Sequence, residues 1–339
     1  MTLLTFTKKG IYCKKADVYI DPWRPVKRAL ITHGHADHSR WGNQYYLSTE
    51  KAAPVIRYRL GNINISTLKY GEQITINGVQ FSFHPAGHIV GSAQIRVEYK
   101  DEVWVVSGDY KLEDDSLAAP FEPVKCHTFI TECTFGLPVY KWKPQQEIFE
   151  NINSWWKQNK ANGKTSLLTA YSLGKAQRVI RYLDTSIGPV YTHGAVENTN
   201  AIIRKQGFDL PETSKAEKLK DRKKYIGSMI IAPPSVLDSP WTKRFGPLSV
   251  GVASGWMALR GARRRRSADR GFVLSDHADW DGLNTAIKAT GAERVFVTHG
   301  YTGIFQKWLL EQGYDAREVK TEFEGESLEI NQTEEDDIS

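Results

Sequence analysis

Cysteine is scarce in this 339-residue chain: Cys13, Cys126 and Cys133 are its only three. Their spacing makes neither a CxxC pair nor an even-numbered framework, which excludes a disulfide scaffold and fits buried thiols in a reducing compartment. Any metal must therefore be held by nitrogen and oxygen. No apolar run approaches the roughly 18 residues that a membrane helix needs, so no membrane partner is expected. The opening MTLLTFTKKG has neither the apolar stretch nor the small-residue cleavage site of a signal peptide; the expected location is cytoplasmic. Low-complexity sequence is absent, and 40% hydrophobic with 25% charged residues is an ordinary globular composition. A chain of this length can build one large domain or two joined ones, with a substantial core.

What is present is an uneven charge. Residues 140 to 270 carry 24 Lys/Arg against 10 Asp/Glu, an excess of 14, whereas the rest of the chain has a net charge of −8 within the overall +6. Basic side chains often do no more than solvate helix faces. So large an excess in one block predicts a polyanion-binding element beside a more acidic, metal-binding one.

The two regions also differ in rhythm. Up to about residue 135 the sequence reads as short strands rich in β-branched and aromatic residues: ADVYID, RALITHG, QYYLS, VQFSFHPAG, QIRVEY and EVWVVSGD. A short helix is predicted over residues 52–60. From 140 onward strands and helices alternate: an amphipathic helix over 144–160 bearing Ile148, Ile152, Trp155 and Trp156, the strand SLLTAY, the helix GKAQRVIRYL, the strand PVYTHG, then the strands SMIIAP and LSVGVASG. Such alternation predicts α/β structure with a parallel sheet flanked by helices. Two more strand–helix units, from GFVLSDH and RVFVTHG, follow residue 270, and the last residues read as an acidic, frayed tail. Chemistry-bearing residues lie on both sides of the basic block, so the block reads as an insertion.

The strongest local signal is RALITHGHADHS, where His33, His35, Asp37 and His38 follow an apolar strand within six positions. A lone strand-end histidine is usually a packing or turn residue; four ligand types this close together read as a metal site. Imidazole with carboxylate suits Zn²⁺, Mn²⁺ or Fe²⁺, while an all-oxygen site suits Mg²⁺ or Ca²⁺. One ion cannot use all four from so short a turn, so other ligands must come from elsewhere. His88 in PAGHIVGS, Asp109 in EVWVVSGDY and His299 in RVFVTHGYT share the same setting, an apolar strand ending in a turn. Each alone is weak, since strand-end His and Asp commonly cap turns; together they suffice for two sites joined by a bridging carboxylate.

This arrangement resembles the metallo-β-lactamase fold, whose HxHxDH turn and later His, Asp and His bind two ions. The resemblance implies an αββα sandwich in which His33, His35 and His88 hold one ion, Asp37, His38 and His299 the other, and Asp109 bridges them. Asp21, in YIDPWRP, matches the early aspartate that supports such a site from behind; Asp17 is the weaker candidate. Glu132 in ITECTFG, 23 positions after Asp109, and His277 in VLSDHADW, 22 before His299, resemble the acid–histidine pair of the β-CASP subfamily of nucleic-acid-cleaving enzymes. Read as bland residues, they would be a helix cap and a turn histidine. YSLGKAQRV (171–179) also looks like a recurring β-CASP segment, a strand-to-helix turn able to meet phosphate.

The implied organisation is a metallo-β-lactamase core at 1–138 and 270–330, an inserted α/β β-CASP cap at 139–269, and a disordered tail at 331–339. The segments YCKKADVYIDPWRPVKRALITHGHADH and GWMALRGARRRRSADRGFVLSDHADW look like the bacterial ligase-associated DNA nuclease branch. That likeness implies DNA in preference to RNA, single strands first, a place in DNA repair, and a DNA ligase and a helicase as functional neighbours. The expected enzyme is a binuclear Mn²⁺- or Zn²⁺-dependent phosphodiesterase, exo- or endonucleolytic, with Asp37, His277 and Glu132 catalytic. Lys175, Arg178, Arg181, His193, Arg263 and Arg264 are candidate substrate contacts, with a structural role the alternative for His193 and a solvated loop the alternative for the arginine run. Trp23, Trp241 and Trp256, near Pro or Gly turns, are candidate base-stacking residues. Rival readings are an RNA-processing nuclease of the same subfamily, a lactonase or thioesterase of the same fold, and a non-enzymatic nucleic-acid-binding descendant; the last should have lost ligands, yet every position is filled.

Overall fold

The computed structural model describes residues 2–216, 222–259 and 268–323; the tail at 331–339 and the arginine run at 263–266 lie outside them. The chain divides into two compact units, residues 1–141 with 276–326, and residues 142–275.

In the first unit, strands β1 (Thr5–Thr7), β2 (Gly10–Cys13), β3 (Val18–Ile20), β4 (Arg28–Leu30), β5 (Tyr45–Thr49) and β6 (Ile65–Leu68) form one sheet in sequence order. The second sheet joins β7 (Gln73–Ile76), β8 (Val79–Pro85), β9 (Ala93–Tyr99), β10 (Glu102–Val106) and β11 (Thr128–Cys133) to two late strands, β18 (Arg294–Gly300) and β19 (Asp315–Glu318), in the order β19-β18-β11-β10-β9-β8-β7. β10, β11, β18 and β19 are mutually parallel, whereas β7 to β10 pair antiparallel as a meander.

Side-chain alternation along the strands decides the layering. Ile11, Val18, Ile20, Leu30 and Leu47 of the first sheet share a buried cluster with Phe81, Phe83, Ile95, Val97, Trp104 and Ile130 of the second. The sheets therefore pack face to face. Val105, Phe129, Val295 and Val297 point the other way and are covered by α5 (Trp280–Thr290) and α6 (Thr302–Glu311) through Leu283, Ala286, Ile287, Phe305 and Leu309. On the outer face of the first sheet, Ala29, Ile31, Tyr46 and Ile65 meet Ala53, Ile56 and Leu60 of α1 (Ala53–Leu60). The first unit is thus a helix–sheet–sheet–helix stack. Helix α5 has clear sequence limits: the Asp279 side chain accepts a hydrogen bond from the Gly282 amide at 2.8 Å, and Gly291 ends the helix in a left-handed conformation at φ 70°.

The second unit holds a parallel six-stranded sheet made of β12 (Thr165–Thr169), β13 (Val190–Thr192), β14 (Ser214–Lys215), β15 (Met229–Ala232), β16 (Leu248–Ala253) and β17 (Arg270–Phe272), in the order β14-β13-β15-β12-β16-β17. Its leading helix α2 (Gln145–Ala161) buries Ile148, Ile152, Trp155 and Trp156 as one stripe. That stripe packs with Val179 and Ile180 of α3 (Lys175–Arg181) against Leu168, Met229 and Ile231. Helix α4 (Gly194–Lys205) follows β13. Mixed α/β structure and the parallel sheet agree with the strand–helix alternation of the sequence. Among the described residues, no helix is long and apolar enough to cross a membrane.

Candidate metal centre

The ligand candidates of the first unit sit at or just beyond strand ends. β4 delivers Thr32, His33 and the following HADHS turn; β8 leads to His88; β10 leads to Asp109; His299 lies within β18. Two glycines make the close approach of these loops feasible. Gly87, at φ 75°, would place a Cβ 2.1 Å from the Lys111 carbonyl oxygen, and Gly108, at φ 57°, would place one 2.7 Å from the Thr32 side chain.

Three groups of possible ligand atoms result: His33, His35, His88 and Asp109; His38, Asp109 and His299; and Asp109, Glu132 and His277. Asp109 belongs to all three. Its Oδ2 lies 3.5 Å from Nε2 of His33, 3.5 Å from Nε2 of His38 and 3.8 Å from Nε2 of His88, and its Oδ1 lies 3.1 Å from Nε2 of His299. Nε2 of His88 is 3.1 Å from Nδ1 of His35. Asp37 Oδ2 lies 3.6 Å from Nε2 of His38, beside the second group. All these residues are buried apart from His299, which is half-buried.

The fit to metal ions rests on atoms that the protein leaves unpaired. Nε2 of His33, Nε2 of His38, Nε2 of His299 and Oδ1 of Asp109 are buried and have no hydrogen-bond partner; the 3.1 Å approach of His299 to Asp109 lacks hydrogen-bond alignment. Buried polar atoms are ordinarily satisfied. Here four point into one space, and together they are a nitrogen–oxygen donor set suited to a divalent cation.

Electrostatics prepare these donors. Burial, reinforced by the charge of His38, lowers the His33 imidazole well below its ordinary pKa, and burial with His277 and His35 does the same to His88. Burial would raise the Asp109 carboxyl, but the imidazoles of His38, His277 and His299 hold it well below the usual carboxylate range. Asp37 is lowered against the same burial effect, chiefly by His38. His38 stands apart: burial would lower it, yet Asp37, Asp109 and Asp21 push it up to about 10.

These ligand candidates are braced from behind. Nδ1 of His38 meets Asp21 Oδ2 at 2.8 Å, and Asp21 also accepts from the Thr32 amide at 2.8 Å and the Thr32 hydroxyl at 2.5 Å. Asp21 adopts φ 41°, which an aspartate tolerates better than most residues. Asp17 lies apart, accepting from the Tyr12 hydroxyl at 3.0 Å. Nδ1 of His88 donates to the Asp276 carbonyl at 2.7 Å. Nδ1 of His277 meets the two Glu132 oxygens at 3.0 and 2.9 Å, and the Tyr110 amide and Thr134 hydroxyl donate to the same carboxylate.

The sequence-predicted substrate contacts lie in the second unit. Lys175 is buried with Nζ 4.5 Å from the Tyr171 ring centre. Arg178 is buried and donates to the Ser275 carbonyl and to Gln145 Oε1. Arg181 pairs with Asp209 at 2.8 Å. Nδ1 of His193 accepts from the Ala195 amide at 3.2 Å and so caps α4. Arg263 and Arg264 lie outside the described residues. The tryptophan expectation changes. Trp23 is buried with its indole NH bonded to the Lys8 carbonyl, Trp241 packs on His193 and Phe245, and Trp256 is half-buried. Burial takes Trp23 out of the base-stacking candidates, whereas Trp241 and Trp256 keep part of their surface exposed. Trp41, 71% exposed, is the exposed tryptophan among the described residues.

Sequence reading missed Thr32, Thr134, the Asp276 carbonyl and Phe323, whose ring stacks on His38. The first three adjoin residues that it singled out, so adjacency was their available signal. Phe323 carries none, because only folding brings it to His38.

No protein-family model matches the chain. It is 31% identical over 312 residues to a probable DNA ligase of Opitutus terrae, a match covering 91% of this chain and 30% of that protein. It is 24% identical to the probable RNase MJ4 of Methanocaldococcus jannaschii, covering 91% and 89%, and 25% identical to the cleavage and polyadenylation specificity factor 73 of Drosophila melanogaster, covering 48% and 25%. The chain thus spans less than a third of the length of two of these relatives. A crystal structure of a protein of unknown function from Enterococcus faecalis V583 shares the fold, with a TM-score of 0.60 at 11% identity over 88% of this chain and 80% of that one. The stacked α/β unit with imidazoles and carboxylates gathered at its strand ends is that of a divalent-metal-binding protein. With these relatives, the chain belongs to the metallo-β-lactamase/β-CASP nuclease family.

Proposed function

We propose that the protein is a metal-dependent phosphodiesterase that cleaves DNA, single strands first, by a two-metal hydrolytic mechanism in DNA repair. On this reading the first unit is the αββα metallo-β-lactamase core, and the second, which includes β17, is the β-CASP cap. The observation that carries it is Asp109, a buried carboxylate shared by one cluster of three histidines and a second with His38 and His299. His33, His35 and His88 would hold one Mn²⁺ or Zn²⁺ ion and Asp37, His38 and His299 another, with Asp109 between them. Such ions supply acidification of water and neutralisation of charge on phosphate oxygens.

The chain's own residues do the rest. Asp21 fixes the ring of His38, and the Asp276 carbonyl fixes that of His88, so both keep Nε2 toward Asp109. Glu132 accepts from Nδ1 of His277 and fixes its ring, and on this reading that imidazole meets a scissile phosphate or hands a proton to the departing oxygen. The excess of basic side chains between 140 and 270 supplies salt-sensitive, sequence-independent attraction for a polyanion.

DNA is favoured by the segments likened to the ligase-associated branch and by the match to a relative named as a DNA ligase; a ligase and a helicase are the proposed functional neighbours. RNA processing is the second reading, favoured by relatives named RNase MJ4, RNase J-like protein and endoribonuclease YSH1. Incubation of the purified chain with labelled single- and double-stranded DNA and RNA, each with Mn²⁺ or Zn²⁺, tests both. Cleavage of DNA, abolished in His33→Ala and Asp37→Ala, is the expected result. Preferential cleavage of RNA selects the second reading, and ester hydrolysis without nucleic-acid cleavage overturns both.

A further inference from the structure

The chain leaves β19 at Glu318, and the Val319 amide still donates to the Val297 carbonyl of β18 at 2.9 Å. Four residues later Phe323 lies flat on the imidazole of His38, with ring centres 4.3 Å apart and planes 8° from parallel. The same ring meets His299 edge-on at 5.7 Å and Trp23 at 5.6 Å. His38 and His299 are the two imidazoles of the second ligand group, on opposite ends of the sequence.

Glu322 fastens this segment. Arg24 reaches both of its carboxylate oxygens, at 2.5 and 3.0 Å, and Arg40 Nη2 donates to its carbonyl at 2.6 Å. The Arg24 pair is about half exposed, with side-chain exposures of 52% and 44%, so its own contribution is small. Arg40 is more telling, because its Nε also donates to the Asp37 carbonyl at 3.2 Å. One guanidinium therefore ties the segment at 322 to the ligand turn at 37.

His38 is consequently held on three sides. Asp21 fixes Nδ1 and His33 lies tilted against it at 4.2 Å, while Phe323 covers a face. An imidazole so confined has one orientation for Nε2, and an apolar ring over it excludes water that would otherwise compete for a ligand position. Outer groups that orient a ligand commonly change metal affinity by about 10- to 100-fold.

We propose that Glu322 and Phe323 form a clasp for the second metal pocket, in which Phe323 is a positioning residue that sets the affinity of the ion held by His38 and His299 and leaves the His33–His35–His88 ion unaffected. The inference rests on the two-ion reading given above.

The test is a titration of the full chain with Mn²⁺, and separately Zn²⁺, against a competing chelator, in the absence of nucleic acid. The wild type should show two binding steps. Phe323→Ala should weaken one step about 10- to 100-fold, the same step that His299→Ala removes, and Phe323→Tyr should restore it. Arg40→Met, which removes the guanidinium that ties the Glu322 carbonyl to the Asp37 turn and keeps the ring, should weaken that step less. Circular dichroism and Tm identify a variant that fails to fold, in which case the Arg40→Met titration decides. Unchanged affinity at both steps in a folded variant, equal weakening of both, or a wild type with a single step overturns the clasp. Two normal steps in a wild type that cleaves no nucleic acid overturn the nuclease reading and leave the clasp intact.

Discussion

Glu132 grips His277 through both carboxylate oxygens, at 3.0 and 2.9 Å from Nδ1, and is itself fixed by the Tyr110 amide at 2.9 Å and the Thr134 hydroxyl at 2.6 Å. A carboxylate saturated in this way orients an imidazole and sets its tautomer. His277→Ala should keep its full metal content while turnover falls about 10²- to 10⁴-fold, the usual range for a proton-transfer group. Glu132→Gln should lose about 10- to 100-fold, as expected for an orienting partner. Elemental analysis beside steady-state kinetics checks both. Loss of an ion from His277→Ala would make that histidine a ligand of the third cluster, with Asp109 and Glu132, and refute the assigned role.

Asp21 shows how one buried carboxylate can serve two loops. It accepts from the amide and hydroxyl of Thr32 and from Nδ1 of His38, so its removal frees a ligand ring and leaves a buried amide unpaired. Asp21→Ala should lower affinity for the His38 ion about 10- to 100-fold and also destabilise the fold by about 1–3 kcal/mol. Chelator competition and denaturant unfolding measure the two effects. An unchanged metal affinity would show that Asp21 acts only on the fold.

That His33, His35, His38, His88, Asp109 and His299 would gather was legible because they follow or end strands whose apolar pattern is itself legible. His33 after RALIT, Asp109 after EVWVV and His299 within RVFVTHG could be placed at strand ends before any coordinates. Strands such as β6, β14 and β19, two to four residues long, carry too little periodicity to be found this way. Side-chain direction was less legible still. Lys175 and Arg178 read as candidate substrate contacts on a helix, and both are buried, because a positive charge in sequence says nothing about which face of a seven-residue helix it occupies. Phe323 was invisible for a different reason: its meaning depends on His38, 285 positions earlier.

Arg178 provides a sharp separation between holding the fold and holding a substrate. Its guanidinium is buried and donates to the Ser275 carbonyl at 2.6 Å and to Gln145 Oε1 at 3.1 and 2.9 Å, spanning the start of α2 and the segment after β17. Hydrogen bonds from a charged donor contribute about 1.5–3 kcal/mol each when one partner is removed. Arg178→Met should therefore lower the unfolding free energy by at least about 1.5 kcal/mol. If the residue serves the fold alone, the salt dependence of polyanion binding stays the same. A shallower salt slope with unchanged stability would instead make Arg178 a phosphate contact.

The thiols give a pH dependence whose sign follows from burial. Burial raises Cys13, raises Cys133 well above the ordinary thiol value, and pushes Cys126 up to about 11. A thiol protonated in the fold but ionised in the unfolded chain means that, between about pH 9 and 11, the unfolded state binds fewer protons. Its contribution to stability is thus complete below the unfolded thiol value near pH 9 and is lost as pH rises through about 11 for Cys126. Urea unfolding should accordingly show stability falling over that window, and replacement of Cys126 by Ser should flatten the part of the fall due to this thiol. Thiolate, not thiol, attacks disulfide reagents. The native chain should therefore react negligibly at pH 7–8, and all three cysteines should react once it is unfolded. Rapid labelling of Cys126 in the folded chain at neutral pH would show that it is neither buried nor raised, and would remove the basis of the pH prediction.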